Sequence, residues 1–287
     1  AARHYKNSVK EILKLATGLF RACLVAQNIY PDQVMQITWA KEVWMEACEH
    51  LEIKITHNND IIQLIMNHTW QLTSELKGKV CSLVKTMYGL ENSCKNVDVM
   101  KNKHLVDDLK DQLGFCYKSL GDPARNILRQ GLYKHHIIQK AVDILFYANK
   151  KDKGVLFPEY FSPFPLPGLG LILTVVFICH FSIKACLDEW ANGVRVDMTF
   201  TQPAYEDIYK RHINHLKWFN TQTKEIQILS KLLKQLDVKG RLHAKVDTQP
   251  EEKQQIGLDE DAIQAAIQEF QSEDGVGLGG ENSDDDN

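Results

Sequence analysis

His212 and His215 stand three residues apart in a stretch of helical spacing, and two imidazoles so spaced can approach one metal ion. No third ligand of matching spacing lies near them, so the plainer reading is two histidines on the polar face of a basic helix. Cys179, His180 and Cys186 are ligand types for zinc without a zinc spacing, and Cys179 falls inside an apolar run. His135 and His136 are adjacent, so on a helix their side chains diverge by about 100°; they read as a helix start. The pairs Asp107–Asp108 and Asp188–Glu189 offer carboxylates for acid–base work but read as solvated helix faces. Gly168-Leu169-Gly170 lacks the third glycine of a dinucleotide loop and follows no strand, and there is no P-loop lysine pattern, HExxH or GxSxG. These residues name no catalytic group, metal, cofactor or small-molecule substrate. The chain leans away from enzymes, with an enzyme of dispersed site residues left open.

Charge is more informative. The formal net charge of −3 divides unevenly. Residues 246–287 hold 13 acids against one base, Lys253, and residues 1–245 hold 33 bases against 24 acids. Within 205–245 nine bases face four acids, and Tyr205, Tyr209, Trp218 and Phe219 are interleaved with them. Lys210, Arg211, Lys217, Lys224, Lys231 and Lys234 are the candidate phosphate contacts of a nucleic-acid-binding surface. The same spacing also suits an amphipathic helix with core aromatics and wet lysines. The acidic tail can mask such a surface or simply solubilise the chain.

The elements that must position these residues read as helices. Ser8 and Glu11 fit a capping box ahead of Val9, Ile12, Leu13, Ala16, Leu19 and Phe20 at helical spacing. After Tyr30-Pro31-Asp32 a second helix is expected to run to His50. Asn58 to Asp60 cap a long pattern from Ile61 to Tyr88 that Gly89 ends. Shorter helices are expected over Val97–Leu113, Arg125–Gly131 and 135–149. A proline-rich connector then leads into Leu166–Ile183, 18 residues without Asp, Glu, Lys or Arg. That run is borderline for a membrane span, but its prolines, glycines and His180, and its continuation through Lys184 to Trp190, favour a helix buried at the centre of a domain. Val194–Phe200 alternates like a short extended arm. Helices follow from Thr201 and Pro203, the last with Ile226, Leu229, Leu233 and Leu236 as its stripe.

Residues 246–287 are read as a disordered acidic tail. Inside it, Asp259-Glu260-Asp261 can cap a short helix near 259–271 whose apolar face is Ile263, Ala266, Ile267 and Phe270, a candidate for a partner's groove. This stretch resembles part of a ubiquitin-interacting motif, with Phe270 where such motifs carry serine. Seven widely spaced cysteines without CxxC point to free thiols in a reducing compartment. No secretory signal is visible, and Ala1 in first place suggests a processed or shortened start. The expectation is an intracellular protein, nuclear or cytoplasmic.

Phe161-Ser162-Pro163-Phe164-Pro165-Leu166-Pro167, followed by Leu171, Leu173 and Thr174, then Leu187-Asp188-Glu189-Trp190 and Gly193, forms a recognisable block. Tyr205, Tyr209, His212 and Leu216 follow it, and Pro31, Trp39 or Trp44, Tyr88-Gly89 and Leu132-Tyr133-Lys134-His135 precede it. Over roughly residues 5–220 the chain resembles an uncharacterised domain-of-unknown-function family of mushroom-forming fungi. Against that pattern Val176–Ile183 looks like an insertion. The resemblance implies a soluble helical domain and carries over no activity or site residue.

The sequence thus predicts an all-α chain: a single multi-helix globular domain over 1–245 and an acidic disordered tail over 246–287. The leading functional expectation is a non-enzymatic protein-interaction or scaffold module with a protein partner, and nucleic-acid binding is the alternative.

Overall fold

A computed structural model of the 287-residue chain describes residues 5–90, 95–177 and 202–246. Among them no strand occurs, and the chain is all-α, as its periodicity predicts. The helices are α1 (Asn7–Ala26), α2 (Gln33–His50), α3 (Asn59–Met66), α4 (His68–Met87), α5 (Asn96–Lys110), α6 (His136–Phe146), the single turns α7 (Lys153–Leu156) and α8 (Pro158–Phe161), α9 (166–177), α10 (Gln202–Gln222) and α11 (Ile228–His243).

Local chemistry sets several boundaries. The Asp32 carboxylate accepts the Met35 amide over 2.8 Å and starts α2. The Asn58 side chain accepts from Ile61 over 2.9 Å and starts α3, and His135 caps α6 through Nδ1. α1 differs from expectation. It begins one residue before Ser8, at Asn7, its N-cap is Lys6, and no side chain caps it, so the capping box does not form. The long pattern from Ile61 is two helices that meet at Asn67, whose backbone stays in the helical region. Gly78 lies within α4, with nothing near its α-hydrogen side, and the helix runs on to Met87, followed by Tyr88 as C-cap and Gly89 at φ +66°.

No helix forms over Arg125–Gly131. A 3₁₀ turn at Pro123–Arg125 is followed by a tight loop, held by isolated antiparallel bridges between Ser119 and Gln130 and between Asp122 and Ile127. The Asp122 carboxylate takes the Ala124 amide over 3.0 Å, which competes with helical bonding there. Ile127 and Leu128, the apolar residues of this stretch, are exposed.

α1 packs against α2, α3 and α4, and α6 lies between α4 and α11. α9 is the interior element: every residue from 168 to 176 is buried, on all sides of the helix. Gly168 sits against Val25 of α1, and Gly170 against Ile213 and Tyr209 of α10. The one hydroxyl in that run, Thr174 Oγ1, donates to the Gly170 carbonyl over 2.7 Å. Trp44, fully buried, donates its indole N–H to the Ile55 carbonyl over 2.9 Å. Among the described residues no helix is long and apolar enough to cross a membrane. Residues 178–183 of the apolar run, Val194–Phe200 and the tail from residue 247 lie outside the described residues.

Candidate functional site

The inner face of α10 is fixed by its aromatics. Tyr209 meets Tyr30 edge-on with ring centres 5.5 Å apart, and Phe219 meets Tyr133 edge-on at 5.2 Å. Between them His212 is buried against Phe115 at 6.0 Å and Phe177 at 5.7 Å. With that face inward, Lys210, Arg211 and Lys217 must face solvent, and all three are exposed. Lys210 and Lys217 stand seven residues apart, two helical turns, and share one line along the surface; Arg211 and Trp218 share the next. Trp218 is 66% exposed.

After α10 the chain turns over 223–227, with Lys224 exposed and Gln227 at φ 55°. α11 then buries Leu229, Leu232 and Leu236 and leaves Lys231 and Lys234 outside. Val238 and Leu242 are exposed on the same outer side, and Ile226 in the preceding turn is exposed as well. All six sequence-nominated cations are therefore solvent-facing. Exposed apolar side chains lie among them, which the charge count alone did not show. Leu233 is half-buried and Ile226 exposed, so the core stripe of α11 is Leu229, Leu232 and Leu236.

Lys210 and Lys217 also border an open groove of 450 Å³ between α10, the end of α1 and the start of α9. Gln27, Asn28 and Leu166 supply its other wall. Gln27 and Asn28 were not singled out from sequence, because nothing local signals that the end of α1 lies beside α10. At the groove's edge Glu206 pairs with Lys210 over 2.7 Å, and this hydrogen bond raises the lysine pKa above its ordinary value. That ammonium is half satisfied already; Arg211 and Lys217 are the outward cations nearest Trp218 along the helix.

The histidine reading is corrected. His212 is a core residue and His215 is exposed, so the two neither share a metal nor lie together on the polar face. Burial, then the charges of His215 and Arg211, push the His212 pKa down to about 4. Among the described residues no three His, Cys, Asp or Glu side chains gather where they could hold a metal ion. Asp107 and Asp108 are exposed on α5. Cys23 and Cys116 are buried free thiols and Cys48 is a half-buried one; burial, then Glu42 and Glu46, pushes the Cys23 pKa up to about 12. Such a thiol is a poor nucleophile. Cys179, His180, Cys186, Asp188, Glu189 and the tail face of Ile263, Ala266, Ile267 and Phe270 lie outside the described residues.

The profile of the domain of unknown function DUF6532 matches residues 15–219, more than half of the chain. The chain belongs to this family, and the all-α fold described above is its fold in this member. No curated protein and no solved structure matches the chain.

Proposed function

We propose that the domain is a protein-interaction module whose contact surface is the outer side of α10 and α11. The observation that carries this reading is Trp218, 66% exposed on a helix whose other described aromatics are buried or half-buried. An exposed indole in water is unfavourable in the free protein, and tryptophan is the side chain most concentrated at binding hot spots. Arg211 and Lys217 flank it, and Leu242 and Val238 add exposed apolar area on α11. A partner presenting an acidic rim around an apolar pocket suits that composition. Free thiols at Cys23, Cys48 and Cys116 support a reducing, intracellular setting, nuclear or cytoplasmic.

The test starts with proteins captured on the full chain; the purified partner is then titrated against wild type and Trp218→Ala. A loss of about 2 kcal/mol or more marks a hot spot, and unchanged affinity in the variant removes this surface from consideration. Nucleic-acid binding is the second reading, favoured by exposed cations around an indole that can stack on a base. Its measure is anisotropy of labelled DNA and RNA with the full chain and with a tail-shortened chain across a salt series. Affinity that falls steeply with salt, and is weaker when the acidic tail is present, supports the second reading over the first.

A further inference from the structure

The last turn of α11 and the loop that follows α6 enclose an open groove of 390 Å³. Its charged lining is all of one sign: Lys150 and Lys151 from the loop, His243 and Lys245 from the end of α11, and no acid. Asp152, next along the loop, does not line it; its carboxylate accepts from the amides of Ala148 over 3.1 Å and Lys153 over 2.9 Å. The Asn149 side chain accepts from the Lys151 amide over 2.9 Å, so the loop that carries the two lysines is fixed by its own side chains. Lys150, Lys151 and Lys245 are exposed, and none has an ion-pair partner among the described residues. The amide hydrogens of Asn149 and Lys150 have no acceptor among those residues either.

Cations gather at helix C-termini because the backbone dipole is negative there. α6 and α11 both end beside this groove, and each end contributes about half a negative charge. Together they offset about one of the three lysines. Nor are the ammonium groups needed as caps on α11: the carbonyls of Gly240, Arg241 and Leu242 accept from the amides of Ala244, Val246 and Lys245 over 2.9, 3.0 and 3.0 Å. Lys245 itself stands at φ 57°, in the left-handed region where glycine closes a helix at lower cost. Positive charge is thus held together without counter-charge, and a multivalent anion relieves it. The cations come from both walls, so joined phosphoryl groups engage more of them at once than one orthophosphate does. We propose that this groove binds a polyphosphate, two or more phosphoryl groups joined on one small molecule, with Lys150, Lys151 and Lys245 taking its charge. The assignment rests on neither reading of the outer side of α10 and α11.

The probe is sodium tripolyphosphate, titrated calorimetrically into the full chain at fixed ionic strength, with orthophosphate and sulfate as comparators. The expected result is saturable binding at one site, about tenfold or more weaker for either comparator. Lys150→Gln combined with Lys151→Gln weakens tripolyphosphate about tenfold. Lys245→Gly weakens it about fivefold without lowering the Tm, because glycine suits that backbone. Lys10→Gln, at an exposed site on α1, leaves the affinity unchanged. Phosphatidylcholine vesicles carrying phosphatidylinositol bisphosphate separate the two sources of such a group. Retention that tripolyphosphate displaces assigns a lipid headgroup, and tripolyphosphate binding without retention assigns a soluble ligand. The absence of saturable tripolyphosphate binding overturns the proposal, and so does orthophosphate binding as tightly. An equal loss in Lys10→Gln also overturns it, since the anion would then follow the overall charge of the surface.

Discussion

Tyr147 donates its hydroxyl hydrogen to the Asp237 carboxylate over 2.9 Å, across 90 residues of sequence. The other Asp237 oxygen accepts from Ser162 Oγ over 2.6 Å, while Arg241, one turn along α11, donates Nε–H over 2.8 Å to the oxygen that Tyr147 uses. Arg241 also reaches the Gly154 carbonyl over 3.3 Å. Burial and the neighbouring carboxylate raise the Tyr147 pKa well above its ordinary value, so the phenol stays a donor. One buried carboxylate thus joins α6, α7, the connector before α9, and α11. Removing it leaves Arg241 without its counter-charge and Ser162 Oγ without this acceptor, and leaves the Tyr147 hydroxyl only the Phe161 carbonyl at 3.3 Å. Asp237→Ala is expected to cost about 3 kcal/mol or more in urea unfolding, and Tyr147→Phe about 1 kcal/mol.

The Tyr147 ring is also held sterically. A Cβ at Gly240 or at Gly154 would come within 2.5 Å of it, so the ring lies between two stretches of bare backbone. Gly240→Ala is expected to destabilise by about 1–3 kcal/mol through overpacking. Repeating the change in a Tyr147→Ala background should shrink the cost, since the ring atoms it strikes are gone; an unaltered cost would show that the strain lies elsewhere.

His212 gives a pH signature. Its folded pKa is pushed down to about 4 from an ordinary 6.5, with burial the main cause and the charges of His215 and Arg211 adding to it. As pH falls through 6.5 the unfolded chain takes up this proton and the folded chain does not. Stability therefore drops between about pH 6.5 and pH 4 and is insensitive to this group outside that window. The full drop is about 3 kcal/mol. Urea midpoints at pH 7, 5.5 and 4.5 should fall more for wild type than for His212→Leu. Parallel slopes would mean that the ring becomes charged in place.

Trp218 and Leu216 separate surface from core on one helix. Trp218→Ala should leave stability within about 0.5 kcal/mol, as exposed positions do. Leu216→Ala, at a fully buried site, should cost about 2–5 kcal/mol. A large stability loss in Trp218→Ala would make the indole structural, and the interaction surface would have to be sought elsewhere.

What sequence could show depended on the range of the interaction. Asp32 and Asn58 cap with their own carboxylate and amide, so the starts of α2 and α3 were legible. The buried run of α9 was legible because apolar residues on every side of a helix leave no wet face. The break at Asn67 was not, since neither glycine nor proline marks it and its backbone stays helical. The loop at 119–130 was not legible because it is held by Asp122 and by backbone pairing between its two arms, and its apolar residues Ile127 and Leu128 face water. The six cations are exposed, as wet lysines and arginines on amphipathic helices are, but the inward turn of His212 depends on Phe115, far away in sequence. The Asp237 network was invisible for the same reason: an aspartate in a basic helix reads as one more surface charge.

The family match ends at residue 219, before α11 begins. Yet α11 supplies Asp237 to Tyr147 and lays Leu229, Leu232 and Leu236 over the interior. A chain emerging from the ribosome makes this helix after every other described one. Until then the Ser162 side chain lacks the Asp237 carboxylate and the α6 face that α11 covers is bare. At about 5–20 residues per second, the interval between finishing α6 and finishing α11 is several seconds to some twenty. Through that interval the surface that Leu229, Leu232 and Leu236 cover in the folded chain has no cover, and a ribosome stalled before α11 would prolong its exposure to chaperones and proteases.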